Sequence, residues 1–228
     1  MRITWLFVLA ACGGGSAPAA QPAPPPPPPP PEHHHHAEPL GHRFEKADEW
    51  VKIFDNPQRD AWQQPARVVE LLALKPAMAV ADVGAGTGYF EKRLSKAVGP
   101  QGRVLAIDVE PDMVRYLGER AAKEGTKNVE PLLATADDPK LAPVDRVLIV
   151  DTWHHIPERG EYSKKLAAAL KPGGFVLIVD FTMDSPKGPP KEHRIAPEQV
   201  IKELEQGGLH ATIVPAGLSD QYVIKGAK

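Results

Sequence analysis

From residue 76 onward the chain alternates between short apolar runs and segments whose apolar residues recur every three to four positions. The apolar runs, bounded by glycine, proline or an acid, predict strands over Ala79 to Val83, Arg103 to Asp108, Val129 to Ala134, Arg146 to Asp151, Phe175 to Asp180, His210 to Val214 and Gln221 to Lys225. The helical spacings predict helices over Phe90 to Val98, Pro111 to Glu124, Glu161 to Leu170 and Pro197 to Gln206. Upstream, Trp50, Ile53 and Phe54 form a helical stripe that stops before Asn56-Pro57, and a second helix runs to Leu74, where Lys75-Pro76 ends it. Strands and helices in this alternation imply an α/β, doubly wound sheet, mostly parallel and covered on both faces. Ligands bind such sheets beyond the carboxyl ends of the strands. Only the last two strands adjoin without a helix, and they read as an antiparallel closing pair.

Composition divides the chain into three parts. With 228 residues, 42% hydrophobic and 25% charged, it can bury one sizeable core, which the pattern places at residues 44 to 228. Residues 13 to 43 read as a linker. Pro24 to Pro31 favour an extended polyproline spacer, and His33 to His36 read as a solvated tract without preformed coordination geometry, so no metal is assigned. Residues 1 to 12 carry a positive start, a short apolar segment and Leu9-Ala10-Ala11-Cys12, which resembles the lipobox of bacterial lipoprotein signal peptides. That resemblance implies cleavage before Cys12, lipidation there, and a soluble domain tethered to the membrane of the cell envelope. The alternative is a chance apolar leader on a cytoplasmic protein. Cys12 is the single cysteine, so the chain has no internal disulfide and no cysteine-based metal cluster. A net charge of -2 gives no extended basic face, and nucleic-acid binding is not indicated.

The chemistry gathers at the predicted strand ends. Asp82-Val83-Gly84-Ala85-Gly86-Thr87-Gly88 lies between a strand and a helix, where glycines permit a tight turn and a close approach of backbone to ligand. Such spacing also occurs in ordinary turns. Asp108 ends the second strand, where a carboxylate can accept both hydroxyl hydrogen bonds of a ribose, although an acid there can equally cap the following helix. Asp137-Asp138 follow the third strand and could accept from an adenine amino group.

Taken with Ala106-Ile107-Asp108-Val109-Glu110-Pro111-Asp112-Met113 and Leu170-Lys171-Pro172-Gly173-Gly174-Phe175, the loop resembles the class I S-adenosylmethionine-dependent methyltransferases, particularly the ubiquinone and menaquinone branch. The resemblance covers residues 57 to 228. It implies a Rossmann-like seven-stranded sheet with a reversed last strand and S-adenosylmethionine as cofactor. It further implies that Asp82, Gly84, Ala85, Gly86 and Gly88 surround the methionine part, with Asp108 and Val109 at the ribose. Where the family commonly has an acid at the third strand's end this chain has Thr135, so Asp137, two residues on, is the candidate for the adenine. A nicotinamide-dependent dehydrogenase is the rival, but its pyrophosphate needs an open anion site, whereas Asp82 suits the amino group of a cationic, phosphate-free ligand.

After the fourth strand comes Asp151-Thr152-Trp153-His154-His155-Ile156-Pro157. Asp151 is placed with the cofactor, and His154 and His155 are the candidates for a base or for orienting an acceptor, His155 slightly preferred. A base is needed only if the nucleophile must lose a proton. Asp180 and His193 are candidates for contact with a small-molecule acceptor, as is Trp62 in a segment that could fold over the cofactor; their plainer roles are capping and packing. The reading is a methyltransferase acting on a small or lipid-like acceptor. Its alternatives are a lipid-anchored envelope binding module that keeps the fold without turnover, and an RNA methyltransferase.

Overall fold

A computed structural model describes residues 44–228. The expectations for the leader, Cys12 and the linker fall outside the described residues. Seven strands form one sheet: β1 (Ala79–Val83), β2 (Arg103–Asp108), β3 (Val129–Leu133), β4 (Val144–Val150), β5 (Leu170–Phe181), β6 (His210–Ile213) and β7 (Gln221–Ala227). Their spatial order is β3-β2-β1-β4-β5-β7-β6. Pairing is parallel from β3 through β5, and β7 runs antiparallel to both β5 and β6. The sheet therefore matches the mostly parallel, doubly wound expectation with its reversed last strand. The strand order turns back between β1 and β4, which opens a crevice above their carboxyl ends.

Seven helices are described: α1 (Ala47–Phe54), α2 (Arg59–Gln63), α3 (Pro65–Leu71), α4 (Glu91–Val98), α5 (Pro111–Glu124), α6 (Arg159–Ala169) and α7 (Pro197–Gln206). The interior strands are dry on both faces, so they read as continuous apolar runs while successive residues still serve opposite cores. Val80, Val104, Leu148 and Leu177 pack with Val68, Leu94 and Leu117 from α3, α4 and α5. Ala81, Leu105, Val147 and Val176 pack on the other side with Leu166 of α6 and Leu204 of α7.

Two local expectations need correction. The single helix running to Leu74 is two helices, because Pro65 disfavours helical backbone at the residue before it and Gln64 adopts φ 45, ψ 59 instead. The Leu170 to Gly174 turn is absorbed into β5, whose pairing shifts register between Val144 and Arg146 to accommodate it.

Candidate active site

A cavity of about 1000 Å³ lies over the crevice, with residues 84 to 87 as one wall and the turn after β4 as another. Gly84 has φ 78, and a Cβ there would sit 2.3 Å from Oγ1 of Thr152. Glycine thus lets the ends of β1 and β4 close together, which brings the loop beside the histidine turn.

Four backbone amides of this loop are already engaged. Gly84 and Ala85 donate to the Ile107 carbonyl at 2.8 and 2.9 Å, Gly86 donates to Oδ2 of Asp108 at 2.8 Å, and Gly88 donates to the Ala85 carbonyl at 3.0 Å. These N–H groups form no open nest for a pyrophosphate. What faces the cavity is instead rich in acceptors: Asp82, Asp108 and Glu110 all line it.

Asp108 is held rigidly, with Oδ1 accepting from the Glu110 amide at 3.0 Å and Oδ2 from Gly86. A carboxylate has about four acceptor positions, and the neighbouring amides, Val109 included, leave it capacity to accept from ribose hydroxyls. Burial pushes its pKa up, countered by the backbone donors around it. The cap reading of Asp108 does not hold. Glu110 is the N-cap residue of α5 and no side chain caps that helix. Val109 stands 48% exposed at the cavity's edge.

Asp82 is buried on β1 beside Glu91 of α4, which is also buried. Among the described residues no donor reaches either Glu91 oxygen. Desolvation pushes Asp82 up to about 7 and Glu91 well above its ordinary value; Asp82 raises Glu91 further whereas Glu91 pulls Asp82 back down, so the pair holds a proton. A cation placed at Asp82 would expel it. An acceptor-rich wall with a closed set of loop amides fits a nucleoside that carries a positive charge and no phosphate.

Two expected cofactor contacts lie elsewhere. Asp137 is outside the cavity: Thr135 and Asp138 exchange backbone hydrogen bonds at 3.1 Å, and the tight turn sends Asp137 outward to within 3.8 Å of Lys165. Thr135 and Ala136 line the cavity in its place. Gly88 is absent from the lining as well, because its free side abuts Leu117 of α5, 3.0 Å from where a Cβ would stand.

Asp151 lines the cavity with φ 54, a backbone conformation that a non-glycine residue rarely holds outside a constrained site. Gln221 of β7 donates to its Oδ1 at 2.5 Å, and Arg59 of α2 lies 3.5 Å from Oδ2. Burial pushes Asp151 up to about 7, with Arg59 pulling the other way.

The histidine turn, Trp153–His155, is pinned by Trp153, whose indole N–H donates to Glu203 of α7 at 2.9 Å. His154 and His155 both line the cavity, their rings 4.2 Å apart. His154 is buried and places Nδ1 3.0 Å from both oxygens of Asp180. Asp180, buried at the end of β5, does not line the cavity, so the expected acceptor contact is corrected: it reaches the site only through His154. His193 and Trp62 do line it, and Trp62 tilts against Phe181 at 5.9 Å.

Sequence reasoning overlooked several members of the site. Phe44, Trp50 and Phe54 form an aromatic cluster, with Phe44 edge-on to His155 at 5.5 Å and Phe54 lying against Gly86. The helical stripe was visible, but its destination was not. Glu91 and Gln221 carried no signal beyond being polar residues next to apolar runs.

A protein-family model described as a methyltransferase domain matches residues 80–174. A solved S-adenosylmethionine-dependent methyltransferase from Aquifex aeolicus is 31% identical, with a TM-score of 0.74 over 80% of this chain and 98% of that one. Among curated relatives, the protein-L-isoaspartate O-methyltransferase of Methanopyrus kandleri is 32% identical over 116 residues, 50% of this chain and 49% of its own. The ubiquinone/menaquinone biosynthesis C-methyltransferase of Hydrogenovibrio crunogenus is 29% identical over 124 residues, 53% of this chain and 48% of its own. The chain spans about half the length of the curated relatives it matches.

Proposed function

Because the chain belongs to the S-adenosylmethionine-dependent methyltransferases, we propose that it transfers the methyl group of that cofactor to a small-molecule acceptor held beyond β4 and β5. The observation that carries this reading is the pairing of internally bonded loop amides with the carboxylates of Asp82 and Asp108 along one wall. When bound, the cofactor supplies an electrophilic methyl group on a cationic sulfur. Asp108 holds the ribose through its remaining acceptor positions, and Asp82 meets the amino group of the methionine part. The aromatic side chains at the other wall, Trp62 and Phe181 with Phe44 and Phe54, give the acceptor a water-poor pocket. In-line transfer needs chiefly positioning, which a preformed pocket of this kind provides.

Calorimetry on the full chain with S-adenosylmethionine and S-adenosylhomocysteine tests the assignment. Saturable binding of both is expected, and a chain that binds neither is no methyltransferase.

The site of action is proposed to be the cell envelope, through lipidation at Cys12, on the strength of the lipobox-like Leu9-Ala10-Ala11-Cys12. Wild type is expected in the membrane fraction and Cys12→Ala in a non-membrane fraction; wild type found away from membranes removes the anchor from the proposal.

A further inference from the structure

We propose that Asp180 is a positioning residue that makes His154 the base of this site, and that the acceptor group is a hydroxyl. The inference rests on the methyltransferase reading. Nδ1 of His154 faces both Asp180 oxygens at 3.0 Å, with side chains only 3% and 4% exposed. A carboxylate in that position accepts the Nδ1 proton, so neutral His154 carries no proton on Nε2, and that nitrogen is the one left to accept a proton from the cavity. Asp180 is itself fixed, because one of its oxygens also accepts the Phe181 amide at 2.8 Å.

The charges around His154 support the same assignment. Asp151 at the end of β4 has Arg59 of α2 beside it and Gln221 of β7 bonded to it, whereas Asp180 faces the imidazole ring. An imidazolium formed at His154 is therefore stabilised by a carboxylate already in contact.

A buried base of this form discriminates among acceptors. A carboxyl acceptor is ionised at neutral pH and needs no base, and two buried acids nearby disfavour its entry. A neutral amine attacks without first losing a proton. A hydroxyl does require one. Its O–H bond breaks as Nε2 takes the proton, and the freed oxygen pair forms the new O–C bond to the donor methyl. The S–C bonding pair stays with sulfur, and the imidazolium returns its proton to water.

The test uses the full chain and two readouts, neither of which needs turnover. First, nitrogen-15 spectra of the cofactor-free protein should show His154 as the Nδ1–H tautomer, and an Nε2–H tautomer overturns the proposal. Second, 4-nitrophenol serves as the hydroxyl probe in the presence of S-adenosylhomocysteine. Bound probe should be ionised severalfold more than free probe at the same pH, read by phenolate absorbance. Asp180→Asn and His154→Gln should return it to the level of free probe, and Asp180→Glu should restore part of the effect. Equal ionisation in wild type and Asp180→Asn, or a probe that does not bind, overturns the inference. Calorimetry with S-adenosylhomocysteine accompanies each variant. Where it still binds, the fold is intact and a lost phenolate signal belongs to the dyad; where wild type itself fails to bind it, the methyltransferase reading has failed instead.

Discussion

Asp82 and Glu91 place two carboxyls in a dry pocket at the start of α4, and the consequence is a proton that the unfolded chain would not hold. With Asp82 raised from 3.8 to about 7, the folded state binds more protons than the unfolded one across that window. Stability of the cofactor-free protein should therefore fall as pH rises from about 4 to about 7, and Glu91, raised well above its ordinary value, extends the fall beyond that. Cofactor affinity should move the other way, because a cation at Asp82 favours the ionised form. Asp82→Asn should reduce both slopes by roughly one proton, leaving the parts that Glu91 and Asp151 contribute, as urea melts and calorimetry between about pH 5 and about pH 8 would show. Asp108→Ala removes two charge-assisted contacts to the ribose and the bracket on Gly86. Affinity for S-adenosylhomocysteine should fall roughly a hundredfold, about 3 kcal/mol, and a change under threefold in calorimetry would deny Asp108 that role. Asp108 was visible in the sequence because a strand end fixes where its last side chain points. Asp137 was misplaced because the Thr135–Asp138 turn, which no periodicity encodes, decides which acid faces out. Asp180 could be named but not given its partner, since 26 residues separate it from His154 and only strand pairing joins them.

At the scale of elements, α1 and α2 are held over the glycine loop by polar clamps at their ends. Asp55, which follows α1, bonds Arg120 of α5 at 2.6 Å and accepts from the Thr87 hydroxyl at 3.0 Å. Arg120 also donates to the Thr87 carbonyl at 2.8 Å, so one guanidinium ties α1, α5 and the loop together. Asp60 of α2 receives the Tyr89 hydroxyl and Arg93 of α4, while Arg59 stacks on the Tyr89 ring. Arg120→Ala should release α1 without unfolding the sheet. Amide exchange across residues 47 to 54 should speed up about tenfold, equivalent to about 1.4 kcal/mol, while β1 and β4 keep their protection; uniform loss of protection would show a general packing role instead. Glycine and proline punctuation marked most element boundaries correctly, and β1, β2, α5 and α7 lie where the periodicity puts them. The clamps were illegible for a different reason: in the sequence Asp55 and Arg120 read as ordinary charged residues, and their meeting depends on how α1 crosses α5.

The whole molecule carries its site on a sheet whose interior strands are buried on both faces, so ligand contacts add to a framework already packed. A ligand that binds the folded state alone at a hundred times its dissociation constant adds about 2.7 kcal/mol. For a domain of this size the melting temperature should rise by roughly 5–10 °C with saturating S-adenosylhomocysteine. Adenosine diphosphate should give no comparable rise; an equal rise would return the site to nucleotides that carry phosphate. The sheet's single reversal also has a bearing on time. Because β7 runs against its neighbours, Gln221 opens that strand at the carboxyl edge of β5, where it bonds Asp151 and also Gln63 of α2, 158 positions away. A chain emerging from the ribosome has its glycine loop, its Asp108 and its histidine turn long before the seventh strand arrives to brace Asp151. Completion of the site is thus deferred to the end of folding, and such long-range closure is the slow kind. A chain cut before Gln221 is expected to leave Asp151 without the strand that braces it.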